Sequence, residues 1–339
     1  MLMYTTFVTG LQEPIAGWIE GDKHRIRKVL DGAIIYDSRS TAPMPCFFNT
    51  FEVLEQGTGS VEQLMRAVLR KPGYYSFEKD KPHRNKPHQG KTFRIVTSRE
   101  NQLISVENRL RTDMEKMISS KTGMIPDRRG GGAEFWFLSR SEGITLFMHR
   151  KDNKSVYKPK KGELRPELAY CLNRLANPKA DDIMVDPFCG YGAIARSRAQ
   201  HFPCKEIHSL DINLKETSVL HRSSGDSQSP LGSNSQTYKK ADISQLPSIF
   251  QAQSVDVIVT DPPWGVFTPG LDILALYETF AQAVKHVLKP SGRVVILTAQ
   301  KELIYEINKK WLQMQIVAHY DILVSGQKAA IFVINASAK

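Results

Sequence analysis

The sequence predicts an α/β chain: a doubly wound, mostly parallel sheet with an antiparallel hairpin at its carboxyl-terminal edge, preceded by a smaller α+β region. Two observations predict it, and a third, the charge, bears on partners. From about residue 162, short apolar runs alternate with helical stretches, as a parallel sheet with crossover helices requires. Before that point strands and helices mix without this alternation. The charge divides at the same place: residues 1–165 hold 29 Lys+Arg against 19 Asp+Glu, a balance of +10, and residues 166–339 hold 17 against 16, a balance of +1. Such an asymmetry suggests that one part meets a polyanion, or presents a solvated basic surface, while the other does something else. The expected division is 1–90, 91–161 and 162–339.

Within 1–90, TTFVTG, GAIIYDS and PCFFNTFEVLE read as strands and SVEQLMRAVLRKPG as the clearest helix. The segment 79–91, KDKPHRNKPHQGK, is polar, basic and broken by two prolines, which predicts a linker. TFRIVTS follows as a strand, and an amphipathic helix is expected from about Leu103 to Ser120. A loop containing DRRGGG then leads to AEFWFLSR and GITLFMHR, a hairpin turning at Ser141–Gly143. Beyond residue 162 the successive strands are IMVDPFCG, IHSLDIN, TYKKADI, SVDVIVTD and GRVVILTA, closed by the hairpin DILVSGQKAAIFVIN. The Ser/Gly-rich stretch 222–236 reads as a mobile surface loop.

No apolar run approaches the ~20 residues needed to span a bilayer. The start, MLMYTTFVTGLQEP, lacks the basic, apolar and small-residue succession of a secretory leader, so a cytoplasmic protein is expected. Cys46, Cys171, Cys189 and Cys204 are scattered without C-x-x-C spacing, which predicts neither a metal site nor a disulfide framework.

The stretch TDPPWGVF, residues 260–267, follows an apolar strand. Pro262 and Pro263 fix φ and remove two N–H donors, so the backbone after Asp261 is stiff and its carbonyls are acceptors. A carboxylate beside a fixed carbonyl can accept both hydrogens of an amine on a planar heterocycle, and Trp264 offers a face for that ring. A proline-stiffened loop with a core tryptophan is the other reading of the same residues.

Three further acids close strands in order: Asp186 begins DPFCGYG, Asp211 ends IHSLDIN and Asp242 ends TYKKADI. In open α/β sheets, ligands lie outside the carboxyl ends of the strands. Gly190 and Gly192 let the backbone approach a ligand, yet without a third glycine they make a poor phosphate fingerprint. An acid can take both ribose hydroxyls, and acids suit a positively charged sulfonium better than a pyrophosphate. S-adenosylmethionine has those features; strand-end aspartates are also common helix caps.

DPFCGYG, LDIN, ADI and TDPPWG, in that order, resemble the cofactor and target motifs of class I S-adenosylmethionine-dependent methyltransferases. KGELRPELAYCLNRLA resembles the entry segment of the THUMP-domain RNA methyltransferases, TFRIVTS through GITLFMHR is similar to the THUMP fold, and residues 1–90 resemble the ferredoxin-like layer before it. The resemblance implies a Rossmann-like methyltransferase domain behind a THUMP-like RNA-binding region. Asp186, Phe188, Gly190 and Gly192 would line the methionine side of the cofactor. Asp211 with Ile212 would hold its ribose, and Asp242 with Ile243 its adenine. Asp261, Pro262, Pro263 and Trp264 would receive the target base, and Arg128 and Arg129 would meet RNA. The implied reaction is methyl transfer to an exocyclic amine, guanine N2 in tRNA first. An adenine N6 amine, a protein Gln amide, or RNA binding by a decayed enzyme are the alternatives. Ala193, where Thr or Ser is common, Arg196 and Arg198, where an acid is usual, and Trp264 in place of Tyr depart from the family pattern.

Overall fold

The computed structural model describes residues 1–39, 43–71, 92–100, 102–130, 132–151, 159–213, 235–265 and 270–336. The expected linker 79–91 and nearly all of the loop 222–236 lie outside these residues. The chain divides into two compact units, Met1–Thr6 with Ile15–Lys154, and Phe7–Pro14 with Ser155–Lys339.

Up to residue 151 the elements are β1 (Leu2–Thr6), α1 (Gln12–Gly21), β2 (Arg25–Leu30), β3 (Ala33–Asp37), β4 (Asn49–Gly57), α2 (Val61–Arg70), β5 (Thr92–Arg99), β6 (Gln102–Leu103), α3 (Asn108–Thr122), β7 (Ile125–Pro126), β8 (Ala133–Arg140) and β9 (Ile144–Arg150). Their strands form one sheet in the order β2-β3-β1-β4-β9-β8-β5-β6, with β7 beside β5. The ranges 1–90 and 91–161, expected as separate domains, are thus joined: β4 runs antiparallel to β9, Phe51 opposite Arg150 and Gly57 opposite Thr145. Pairing the two edges satisfies backbone donors and acceptors that separate sheets would leave open.

Local chemistry sets the helix ends. Ser60 Oγ accepts from the Gln63 amide at 3.2 Å while Gln63 Oε1 accepts from the Ser60 amide at 2.8 Å, so α2 begins at Val61. Helix α3 begins five residues later than the expected Leu103, because Leu103 pairs with Ser98 and the Thr97 hydroxyl donates to the Ile104 carbonyl at 2.6 Å. Leu64 and Met65 of α2, with Leu110, Met114 and Ile118 of α3, cover Phe93, Phe135, Phe137 and Phe147 of the sheet.

The second unit contains α4 (Pro166–Leu175), β10 (Ile183–Asp186), α5 (Ala193–His201), β11 (Glu206–Asp211), β12 (Ser235–Lys240), α6 (Leu246–Ile249), β13 (Val255–Thr260), α7 (Ile273–Val287), β14 (Leu288–Thr298), α8 (Lys301–Ile307), β15 (Gln315–Val324) and β16 (Gln327–Asn335). The sheet order is β12-β11-β10-β13-β14-β16-β15. The first five strands are mutually parallel, and β16 runs antiparallel to β14 and β15. The expected doubly wound sheet with its closing hairpin is borne out. Val257, Ile258 and Val259 of β13 and Val294 through Leu297 of β14 are all buried, as central parallel strands covered on both faces must be. Tyr277, Phe280, Val284 and Val287 of α7 pack over Val185, Ile258 and Ile296. Strands β11 and β12 lie to one side of β10 and β13 to the other, so the strand order reverses between β10 and β13.

At the opposite, amino-terminal end of β10, Asp182 receives Arg198 Nη2 at 2.7 Å, Arg293 Nη2 at 2.6 Å and the Lys179 amide at 2.8 Å. Burial opposes ionisation of Asp182, but that amide and the two guanidinium groups hold its pKa below the usual carboxylate range. Arg198, fully buried, also donates to the Lys179 and Pro203 carbonyls, each at 2.9 Å. The departure from the family pattern at Arg198 is therefore a structural tie between α5 and the strand bottom. Asp182→Ala leaves two guanidinium groups without their carboxylate, and is expected to cost about 3–5 kcal/mol in chemical denaturation. Because the folded-state pKa is depressed, the contribution of Asp182 is present above the unfolded value and lost as pH falls through the folded one.

Candidate active site

The reversal between β10 and β13 sets the place where a ligand can enter the sheet. Asp186 closes β10 and Thr260 closes β13; the Thr260 hydroxyl donates to Asp186 Oδ1 at 2.8 Å, bridging the two strand ends. The Phe188 amide donates to the same oxygen at 3.3 Å. Oδ2 of Asp186 is buried and has no hydrogen-bond partner among the described residues. Burial pushes the Asp186 pKa up to about 7, the charges of Asp261 and Asp211 adding to the rise and the Thr260 and Phe188 bonds opposing it. A buried carboxylate oxygen left open at a strand end calls for a cationic or hydrogen-bond-donating ligand.

After Asp186 the chain turns through Phe188, which packs against the core beside Phe280, their centroids 6.0 Å apart. Gly190 has φ +48° and a Cβ there would meet nothing within 4 Å, so its backbone borders open space. The Gly190 amide donates to Asp211 Oδ2 at 2.9 Å, and the Asn213 amide to Oδ1 at 2.8 Å. Asp211, at the end of β11, thereby steadies the glycine turn. Gly192, at φ +72°, starts α5. Ala193 is buried.

A cleft is lined by Phe188, Gly190, Tyr191 and Ala193 from this turn, by Glu163 from the segment before α4, and by Asp261. Arg196 of α5 donates to Glu163 Oε1 at 2.5 Å, and the Lys160 amide to Oε2 at 2.9 Å. Arg196 thus anchors the KGELRP segment to the glycine turn instead of supplying an acid.

Asp261 accepts from Trp264 Nε1 at 3.0 Å through Oδ1. Burial of its carboxyl group pushes the pKa up to about 7, with the indole bond opposing. The Pro263 carbonyl accepts from the Tyr277 hydroxyl at 3.3 Å and the Trp264 carbonyl from Gln300 Nε2 at 2.6 Å. These two carbonyls are turned toward the protein. The Asp261 carboxylate and the Pro262 carbonyl remain as the acceptors of the turn, the latter with no hydrogen bond among the described residues. Trp264, expected as an open stacking face, is half-buried with its N–H on Asp261 and is not among the residues lining the cleft.

The other expected residues divide. Asp242 caps the short helical turn Ile243–Gln245: its Oδ1 accepts from the Ser244 amide at 2.9 Å and hydroxyl at 2.6 Å, and these bonds lower its pKa. Its helix-cap role is thus present in the fold. Ile243 is buried in the core, whereas Ile212 is exposed. Arg128 and Arg129 belong to the first unit. Arg128 makes a two-point pair with Glu115, Nε to Oε1 at 2.9 Å and Nη2 to Oε2 at 2.8 Å, while the Arg129 side chain is 96% exposed. Glu163, Thr260, Tyr277 and Gln300 were not singled out by the sequence. Thr260, next to Asp261, and Glu163, within KGELRP, lay in stretches that the sequence marked.

Residues 156–203 and 215–322 match the family described as UPF0020: RMKL-like, methyltransferase domain. A tRNA (guanine(6)-N2)-methyltransferase of Thermus thermophilus is 30% identical over 146 residues, 42% of this chain and 42% of that protein. The tRNA (guanine(6)-N(2))-methyltransferase THUMP3 of Mus musculus is 29% identical over 193 residues, 52% and 37% of the two chains. The mouse U6 snRNA (guanine-N(2))-methyltransferase THUMPD2 is 27% identical over 176 residues, 48% and 31%. The chain spans less than half the length of these curated relatives. Among solved structures, TrmN from Thermus thermophilus aligns over 99% of both chains with a TM-score of 0.78 at 18% identity. SMU.472, solved with SAH, aligns over 99% of this chain and 98% of its own with a TM-score of 0.69 at 12% identity. Likeness at these identities shows the fold. Among the described residues no helix is long and apolar enough to cross a membrane.

Proposed function

We propose, from the match of residues 156–203 and 215–322 to the family described as UPF0020: RMKL-like, methyltransferase domain, that this chain moves a methyl group from S-adenosylmethionine to an exocyclic amine of an RNA base, guanine N2 in tRNA first. The observation that carries the reading is the pair of acids at the switch point. Asp186 holds a buried oxygen without a partner among the described residues, and Asp261, which lines the cleft, begins a turn whose acceptors are fixed by prolines.

The residues fit the donor. Asp186 Oδ2 suits its ammonium group, Gly190 leaves room for close approach, and Asp211 can accept ribose hydroxyls beside the amides it already holds. Asp242 Oδ1 is engaged by Ser244, so any adenine contact there falls to its other oxygen. S-adenosylmethionine supplies a methyl group on a sulfonium whose departure needs no acid. The protein then has chiefly to orient the amine, an effect worth on the order of 7–11 kcal/mol. A base amine is flat and weakly nucleophilic; the Asp261 carboxylate and the Pro262 carbonyl, accepting its hydrogens, favour the pyramidal and partly cationic geometry reached during transfer.

The basic first unit supports a nucleic-acid substrate, with the exposed Arg129 as a phosphate contact and Arg128 as its Glu115-held support. The printed names of the relatives include tRNA and U6 snRNA. The test is incubation with labelled donor and, separately, bulk tRNA, U6 snRNA and a protein extract, followed by digestion. Label in N2-methylguanosine is expected from tRNA. Label in N6-methyladenosine would move the target, label on a protein amide would move the substrate class, and no label anywhere would remove the catalytic reading.

A further inference from the structure

We infer that Gln300, which lies in none of the sequence motifs, is a positioning residue that sets the Asp261 carboxylate by acting through Trp264; the inference rests on the proposed role of Asp261 as acceptor of the target amine.

The hydrogen bonds form one chain. Gln300 Nε2 donates to the Trp264 carbonyl at 2.6 Å, and Trp264 Nε1 donates to Asp261 Oδ1 at 3.0 Å. Gln300 is itself tied down, its backbone N–H donating to Thr298 Oγ1 at 2.9 Å. Thr298, fully buried at the end of β14, shares a 2.7 Å bond with the Tyr277 hydroxyl, which reaches the Pro263 carbonyl at 3.3 Å. Two successive carbonyls of the turn are therefore gripped from the α7 and α8 side. The next residue, Gly265, sits at φ +84°, where a Cβ would come within 2.8 Å of Ile273 Cγ1, so the position takes no side chain without strain.

Fixing the Trp264 backbone fixes where its indole N–H can reach. With Oδ1 of Asp261 taken by that N–H, Oδ2 is the oxygen left for the target amine. The indole bond also favours the charged carboxylate, against burial. The titratable groups coupled to Asp261 from neighbouring elements are Asp186 of β10 and Tyr277 of α7.

The test compares the full chain with Gln300→Ala, Gln300→Glu, Trp264→Phe and the double variant Gln300→Ala/Trp264→Phe. Gln300→Glu keeps the shape but not the amide donor. The indole N–H resonance of Trp264, identified by its loss in Trp264→Phe, is followed against pH by NMR. Single-turnover methylation of bulk tRNA, donor affinity and melting temperature are measured on the same samples. Expected is an indole signal that titrates with Asp261 in the parent and moves to higher pH in both Gln300 variants. The transfer rate should fall about ten-fold, with donor affinity within about two-fold and an unchanged melting temperature. The double variant should be no slower than the slower single one, because Gln300 acts through Trp264. An indole titration unaffected by both Gln300 variants, or strictly additive rate losses, overturns the inference. If the parent labels no RNA, the functional reading fails, yet the indole titration still decides whether Gln300 sets Asp261.

Discussion

Asp261→Ala is expected to lower single-turnover methyl transfer by about 10²–10³-fold, the scale of losing one preorganised electrostatic contact to a transition state, while donor affinity stays within a few-fold. The carboxylate accepts from Trp264 and faces the cleft, whereas the open oxygen fit for the donor's cationic end belongs to Asp186. Asp261→Asn keeps an oxygen for the indole but loses the charge, and should fall between parent and alanine variant. The pH dependence separates the two. Burial raises the Asp261 pKa to about 7, so the ionised acceptor is scarce below that value and prevalent above it. The parent rate should rise through about pH 7 to an alkaline plateau, and the asparagine variant should lose that limb. A folded, donor-binding Asp261→Ala protein with normal turnover would remove Asp261 from the reaction, and losses that track melting temperature would make it a packing residue.

The candidate site was legible in the sequence wherever it is carried by strand ends. Asp186, Asp211 and Asp261 each stand at or just after a strand end, and each parallel strand delivers its last residue to the same edge, although the strands lie side by side as β11-β10-β13 and not in chain order. Residues that act across the sheet were silent. Gln300 follows β14 and meets Trp264 from 36 positions away, and nothing in TAQK distinguishes it from any other helix start. Glu163 and Arg196 look like surface charges until the KGELRP segment folds onto the glycine turn. The joining of the first two ranges into one sheet was silent as well, since apolar alternation reports which side chains are buried and not which strand lies alongside. Trp264 shows the converse. Its side chain could be named as aromatic, but whether it offers a face or an N–H depends on the rotation that Asp261 and Gln300 impose.

Asp186→Asn is expected to weaken donor binding about 10–100-fold, the equivalent of a charge-assisted hydrogen bond of about 1.5–3 kcal/mol, while changing the pH dependence of stability in the direction of a burial penalty relieved. Asparagine keeps an oxygen for the Thr260 hydroxyl and the Phe188 amide, so the link between β10 and β13 survives. In the parent, burial lifts the folded-state pKa from an ordinary 3.8 to about 7. The folded chain then holds this proton more tightly than the unfolded chain. The associated stability is fully present below the unfolded pKa and lost as pH rises through about 7. The parent should therefore lose stability relative to Asp186→Asn between about pH 4 and pH 8, by a few kcal/mol at most, and saturating donor should recover it for the parent alone. Melting curves of both proteins across that range, with and without S-adenosylmethionine, measure the slope and its reversal together. A parent whose stability relative to the variant does not change with pH would mean that Asp186 is ionised in the folded chain at low cost, and that its open oxygen is already satisfied by water.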